Sequence, residues 1–294
     1  VSFTATADTT TPYHRLFTTA VRLHWDPATI DLSRDIEDWQ RIRRDFAAEQ
    51  YEEQLLRLCA LFHQGEASVT QTLAPFLSGV ARAGLGLDKE LHLAAQLYEE
   101  AKHFAFFARY HAEVIGVDAS TTQAWMQPAP QAVLVDDLDA VAERLRLAEG
   151  EGEVRAAFLE GVTHYMGVVE AMLARTGYAG VAEALGARGW LPGLQEGFRL
   201  IRRDEGRHVA FGIRCVAELT RAHPELRPLV TATFDRQLPH VLATVAAFDY
   251  PHPLVDIGRL QAFAVGAYQQ FMAAAGLTDD PEAVAALAAE LDAA

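Results

Sequence analysis

Two short motifs stand out by residue type and spacing: Glu100-Ala-Lys-His103 and Glu205-Gly-Arg-His208. On a helix, positions i and i+3 lie about 60° apart, so the Glu and His of each motif can grip one ion. Upstream of each stands a further carboxylate: Glu66, 34 residues before Glu100, and Glu170, 35 residues before Glu205. Both sit among apolar or small residues, FHQGEASV and GVVEAML. A carboxylate on such a face is costly to bury unless it is paired or bound to metal. The half-pattern Glu…Glu-x-x-His therefore occurs twice and supplies four carboxylates and two imidazoles. That is the ligand set of a dinuclear carboxylate centre in a four-helix bundle. Four ionised carboxylates offset the charge of two divalent ions, and hard oxygens with imidazole suit Mn and Fe rather than thiolate-seeking metals. Two of the carboxylates can bridge, holding the ions close enough for O2 to bind across them.

The segments that must position these residues read as helices. Residues 39–83 are rich in Glu, Gln, Leu, Arg and Ala, with Pro75 expected to kink or end a helix inside the stretch. A Ser/Asp cluster in HWDPATIDLSRD (24–35) suits an N-cap ahead of them. Gly84 and Gly86 punctuate, and a second long helix is expected from Asp88 to Ile115. Residues 117–135, with Pro128 and Pro130, read as a crossover, followed by a short helix near 136–147. A third long helix is expected over Glu151–Thr176, closed by Gly177, and a fourth over 194–221. Helices near 223–247, 255–276 and 280–292 complete the chain. Strand-like alternation is nearly absent, and no linker is long enough to divide residues 1–294. The expectation is one all-α domain, with residues 1–12 as a mobile tail.

Composition excludes several classes. The 294 residues are 50% hydrophobic and 22% charged, enough for a sizeable core. The 25 Lys+Arg against 40 Asp+Glu leave a net charge of −15, which repels phosphate backbones and anionic membranes, so nucleic acid is a poor partner. Cys59 and Cys215 are far apart, which suits a reducing cytoplasm and excludes a disulfide scaffold. The first residues lack a basic head followed by an apolar stretch, and the uncharged run Leu260–Thr278 carries three glutamines, so no membrane span is expected. The expectation is a soluble cytoplasmic protein.

Over about Leu23 to Gly212 the sequence resembles the ribonucleotide-reductase small subunits of the ferritin-like superfamily. HWDPATIDLSRD and the Asp204-Glu205 pair ahead of His208 carry this resemblance. It implies a ferritin-like four-helix core with additional helices. It also implies that Asp204 hydrogen-bonds the ligating His103, with Trp25 beyond it. One departure is Phe107, four residues after His103, where the radical-storing subunits carry Tyr. One small-subunit subclass also has Phe there, with a Mn/Fe centre. A second departure is the last stretch, EAVAALAAELDAA, which has no tyrosine of the kind that docks on a large subunit.

The chain is more closely similar to ligand-binding oxidases that look like this small subunit but do not serve ribonucleotide reduction. GEASV, EEAKH, Tyr165 with Glu170, TGY (176–178) and DE-x-x-H carry that likeness. The resemblance implies an O2-activating oxidase with Mn in the site of Glu66, Glu100 and His103, and Fe in the site of Glu170, Glu205 and His208. Glu100 and Glu205 would bridge, and a di-iron centre is the alternative. It also implies a homodimer, a long-chain fatty acid in a hydrophobic tunnel, an ether crosslink between Val69 and Tyr165, and Tyr178 near the metals.

Val69 stands three residues from Glu66 and shares its face. Tyr165 stands five before Glu170, about 140° away on a regular α-helix, so the crosslink requires a π-bulge or equivalent between them. Other residues fit less well. His63 reads as a ligand-supporting or plain helix-face residue, His111 and His164 as structural, and Arg202-Arg203 as a solvated face. Phe104, Phe106 and Phe107 fit either core or tunnel wall. Two further functions use the same ligands: a radical-generating reductase subunit of the Phe-substituted Mn/Fe type, and a ferroxidase or iron store, for which the chain is long.

Overall fold

The computed structural model describes residues 8–117 and 131–292. Eleven helices are named here in chain order, and among the described residues there is no strand. α1 spans Pro12–Arg22, α2 Ser33–Asp45, α3 Tyr51–Thr72, α4 Ala74–Arg82 and α5 Leu87–Tyr110. α5 runs on into a π-helical turn, His111–Ile115. α6 is Ala132–Leu147, α7 is a continuous helix over 151–186, and α8 is Pro192–Ala222. α9 (Arg227–Ala246), α10 (Ile257–Ala274) and α11 (Pro281–Asp292) follow.

α3, α5, α7 and α8 form the ferritin-like four-helix core, and their sequences show why. Buried positions on α3 step by fours and threes, through Leu55, Cys59, Phe62, Glu66 and Val69. On α5 they run Leu93, Gln96, Glu100, His103, Phe107 and Tyr110. On α8 they run Phe198, Ile201, Glu205, His208, Gly212 and Cys215. This spacing draws one stripe along each helix, which must face the other helices to leave water. The ligand candidates are members of that stripe, flanked on both sides by apolar residues.

α7 departs from the rule at the point that matters. Val154, Phe158, Gly161 and Tyr165 step regularly, and the next buried carboxylate, Glu170, comes five residues later. The backbone absorbs the extra residue by becoming π-helical over Thr163–Ala174. A turn that bonds i to i+5 brings residues five apart toward the same face.

Three sequence expectations are corrected. Gly177 does not close the third long helix, which continues to Gly186. Instead it marks a close approach, since a Cβ at Gly177 would lie 2.6 Å from the Phe62 ring. Of the Ser/Asp cluster, Asp31 accepts from Ser33 N (2.9 Å) at the start of α2, but Asp35 does not cap its own helix. Asp35 instead accepts from the Gly193 and Leu194 amides (2.8 and 2.7 Å), and Asp38 from Leu191 N (2.9 Å). Two carboxylates of α2 thus satisfy the amides at the start of α8 and fix the helix that carries Asp204, Glu205 and His208. Finally, Pro12 already belongs to a helix capped by Thr11, while residues 1–7 of the expected tail lie outside the described residues. Most of the crossover, 118–130, also lies outside them. Pro75 does open a new helix, as its ring requires.

α9 and α10 pack on the π-helical part of α7, and α1 and α4 pack on α5. Among the described residues no helix is long and apolar enough to cross a membrane.

Candidate metal centre

Glu66, Glu100, His103 and Glu205 form one group of potential donors, and Glu100, Glu170, Glu205 and His208 a second. All six residues are buried, and Glu100 and Glu205 belong to both groups. In the first group His103 Nδ1 stands 3.6 Å from Glu66 Oε2, 3.4 Å from Glu100 Oε2 and 3.5 Å from Glu205 Oε1. In the second, His208 Nδ1 stands 3.1 Å from Glu100 Oε1, 3.3 Å from Glu170 Oε1 and 3.4 Å from Glu205 Oε2. Two ligands about 2.1 Å from one ion, at tetrahedral to octahedral angles, sit about 3.0–3.4 Å apart. The spacing is mostly that of donors around ions.

Unsatisfied atoms make the same case. His103 Nδ1, His208 Nδ1, Glu170 Oε2 and Glu205 Oε2 are buried without a hydrogen-bond partner, and all belong to the two groups. Buried polar atoms normally find a partner, and a cation gives all four one. The residues fit a pair of divalent ions in charge as well, since four carboxylates balance them.

Without ions, the charges rearrange protons. Burial, with repulsion from Glu100 and Glu205 and against the pull of His103, pushes the Glu66 carboxyl up to about 8. Burial works against a charged His208, but Glu100, Glu170 and Glu205 outweigh it and hold the ring well above its ordinary value. His103 is raised in the same way, with Glu66 the strongest attraction. Metal uptake must expel such protons.

Behind each imidazole stands an acid from the opposite motif. His103 Nε2 lies 3.2 Å from Asp204 Oδ2, and His208 Nε2 lies 3.0 Å from Glu99 Oε2. Donation from Nε2 to these acids means that, once metal uptake has expelled the extra proton, the Nδ1 lone pair of each ring faces the carboxylate groups. Asp204 also accepts from Trp25 Nε1 and Lys102 Nζ, both at 2.7 Å, and Arg207 bridges Asp204 and Glu99. Burial opposes its charge, but His103, Lys102 and Arg207 hold the Asp204 carboxyl well below the usual range. Two cations, Lys102 and Arg207, thus match two anions, Asp204 and Glu99. The outer layer is neutral and leaves the inner carboxylate charge for the ions.

A cavity of about 1370 Å³, its open mouth included, reaches this centre. Glu66, Glu100, Glu170 and Glu205 line its inner end, together with Val69, Tyr165 and Tyr178. Leu58, Leu61, Leu134, Leu138, Val169 and Leu173 are among its apolar walls. The Tyr165 hydroxyl donates to Glu100 Oε1 at 2.6 Å. Burial first, then the carboxylates, keep that phenol protonated far above its ordinary range.

Residues 12–238 match the family described as ribonucleotide reductase, small chain. The chain belongs to that family. Among solved structures this small chain is similar to a variant of an R2-like ligand-binding oxidase with anaerobically reconstituted Mn/Fe cofactor. That match has 26% identity, a TM-score of 0.82, and covers 93% of this chain and 96% of the other. A second variant with the anaerobic Mn/Fe cofactor matches at 25% identity and TM-score 0.81, covering 92% and 96%. A third, with aerobically reconstituted Mn/Fe cofactor, matches at 25% and 0.79, covering 91% and 94%.

Phe107 is fully buried, stacked on Phe62 (5.7 Å) and edge-on to Phe106 and Phe198. Phe104, Phe106 and Phe107 are not among the cavity's lining residues; Phe62 is. His111 Nδ1 donates to the Phe107 carbonyl at 2.7 Å, and His63 stacks on Phe104. Arg203, half-buried, donates to the Leu23 carbonyl at 2.6 Å. Sequence reasoning missed Glu99, although a signal existed: both motifs read acid-Glu-x-x-His, as Glu99-Glu100 and Asp204-Glu205. It also missed Gln96, which nothing in the motif marks.

Proposed function

We propose that this small chain is an O2-activating oxidase that holds Mn at Glu66, Glu100 and His103, and Fe at Glu170, Glu205 and His208. Glu100 and Glu205 bridge the two positions. A long-chain fatty acid or similar apolar molecule occupies the cavity, and Val69 and Tyr165 become joined by an ether bond. The observation that carries the proposal is the convergence of the two donor groups at the inner end of an apolar cavity. When bound, the ion pair supplies the electrons and Lewis acidity for O2 reduction.

The chain's own residues do the rest. Apolar walls exclude water, so a carboxylate head group has the ion positions as its polar partner. Asp204 and Glu99 hold the imidazoles in the ligating tautomer. Glu100 accepts the Tyr165 phenol hydrogen and orients the oxygen. In crosslinking, the Val69 Cβ–H and Tyr165 O–H bonds break and a Cβ–O bond forms. Two electrons and two protons leave, with O2 as the oxidant.

A homodimer in the cytoplasm completes the proposal. The second reading, a radical-generating subunit of the Phe-substituted type, draws on the Trp25–Asp204–His103 chain of contacts. Mixing with a reductase large subunit separates the two, because the oxidase gives no ribonucleotide reduction. The main test is to load metal-free protein anaerobically with both ions and to extract its bound lipid. One Mn and one Fe per chain with a co-purifying fatty acid supports the proposal; a stable two-iron product without Mn or lipid overturns it.

A further inference from the structure

The two ion positions are related by the repeated motifs, yet their surroundings are not alike. Gln96 stands one turn before Glu100 on α5 and is fully buried. Its Nε2 donates to Glu170 Oε1 at 2.9 Å and lies 3.5 Å from Glu100 Oε1. With an ion bound Glu170 is ionised and only accepts, so this orientation is the one in which Gln96 can hydrogen-bond it; a flipped amide would set oxygen against oxygen. The same Glu170 oxygen lies 3.3 Å from His208 Nδ1, while its other oxygen is buried without a partner. The amide therefore holds the Glu170 oxygen that stands nearest His208 Nδ1 and fixes where the carboxylate sits against the ion position.

In the other half, the residue one turn before Glu205 is Ile201, fully buried and without a donor. Among the described residues Glu66 has the His103 ring at 3.6 Å and no amide hydrogen bond. Both Glu66 and Glu170 line the cavity, so a molecule arriving from it meets one untethered carboxylate and one tethered carboxylate.

We infer that Gln96 is a positioning residue that pins Glu170 and makes the two ion positions unequal, the His208 side preorganised and the His103 side able to shift its carboxylate. The inference rests on the two-ion reading above, not on O2 chemistry or on which metals are bound. Outer hydrogen-bond partners of metal ligands set affinity by about 10–100-fold.

The test is anaerobic titration of metal-free wild type, Gln96→Leu and Gln96→Met with Mn(II) alone, followed by electron paramagnetic resonance, with circular dichroism reporting folding. Met is unbranched and close to Gln in volume, which protects the packing if Leu does not fit. Wild type is expected to take two ions and show a coupled-pair spectrum. Both variants are expected to keep one position at wild-type affinity and lose about 10–100-fold at the other, giving the isolated-ion spectrum at stoichiometric Mn. Two ions bound with wild-type affinities and coupling in a folded variant overturns the inference alone. Equal weakening at both positions overturns it too, since that is a general structural effect. A wild type that binds no pair overturns the two-ion reading along with it.

Discussion

The Tyr165 hydroxyl donates to Glu100 Oε1 at 2.6 Å, from a π-helical stretch of α7 to the α5 residue shared by both donor groups. On a regular α-helix the five residues from Tyr165 to Glu170 would turn the two side chains about 140° apart. The π-helical path lets one helix present both a carboxylate and a phenol to the same centre. Tyr165 is thereby near the ions' donors without being one of them.

Tyr165→Phe is therefore expected to bind both ions with wild-type stoichiometry while forming no crosslink. Metal analysis and peptide mass spectrometry check this together. A variant that loses one ion would make the phenol part of the binding set.

Asp204 and Glu99 each support one imidazole, so their amide variants should act on different positions. Asp204→Asn is expected to weaken the position of His103, and Glu99→Gln that of His208, each by about 10–100-fold in competition with a chelator. Asp204→Asn should also lower stability by about 3–5 kcal/mol, because Lys102 and Arg207 lose a fully buried charge partner.

Gly65 lines the cavity, and a Cβ added there meets nothing within 4 Å. Gly65→Leu should place its side chain in the cavity and displace the apolar ligand. Stability should hold or rise, since Leu is favoured over Gly in a helix by about 0.8 kcal/mol. Lipid extraction and thermal melting of the variant measure both effects; unchanged lipid content would contradict the cavity assignment.

Metal removal should lower the thermal midpoint, and each ion should restore it as the logarithm of its free concentration relative to its Kd. An ion at 100 times its Kd stabilises the native state by about 2.7 kcal/mol. A His208→Ala variant is expected to keep the share that comes from the Glu66 position. Calorimetry at fixed free metal reads both.

Burial pushes the His164 ring down to about 4, so in the folded protein it stays neutral where an unfolded chain, near 6.5, takes up a proton. Its native state is fully favoured above about pH 6.5 and loses stability as pH falls toward 4, by about 2 kcal/mol at pH 5. The difference in urea stability between wild type and His164→Gln, both metal-free, should shrink by that amount from pH 7 to pH 5. A pH-independent difference would show that the ring is solvated.

The six ligand candidates were legible because their carboxylates and imidazoles interrupt a regular apolar stripe, where a chance surface residue has no reason to fall. The π-helical stretch was legible from the Tyr165–Glu170 spacing only together with the crosslink that the resemblance implies. Gly177 was misread because glycine after a helical run usually marks an end, whereas here the missing Cβ admits the Phe62 ring. Which phenylalanine walls the cavity depended on how α3 and α5 are rotated against each other, and sequence does not carry that. Glu99 was not singled out beside Glu100, because its role follows from Arg207 and His208, more than a hundred residues away in the chain.

In the proposed function, O2 chemistry at this centre reaches Val69 and Tyr165. The most direct measurement is an intact and tryptic mass spectrum of protein loaded with Mn and Fe and exposed to O2. The expected result is a linked peptide pair containing Val69 and Tyr165, two hydrogens lighter than the separate peptides combined. Fully loaded, O2-exposed protein that yields the two peptides unlinked and unmodified would contradict it.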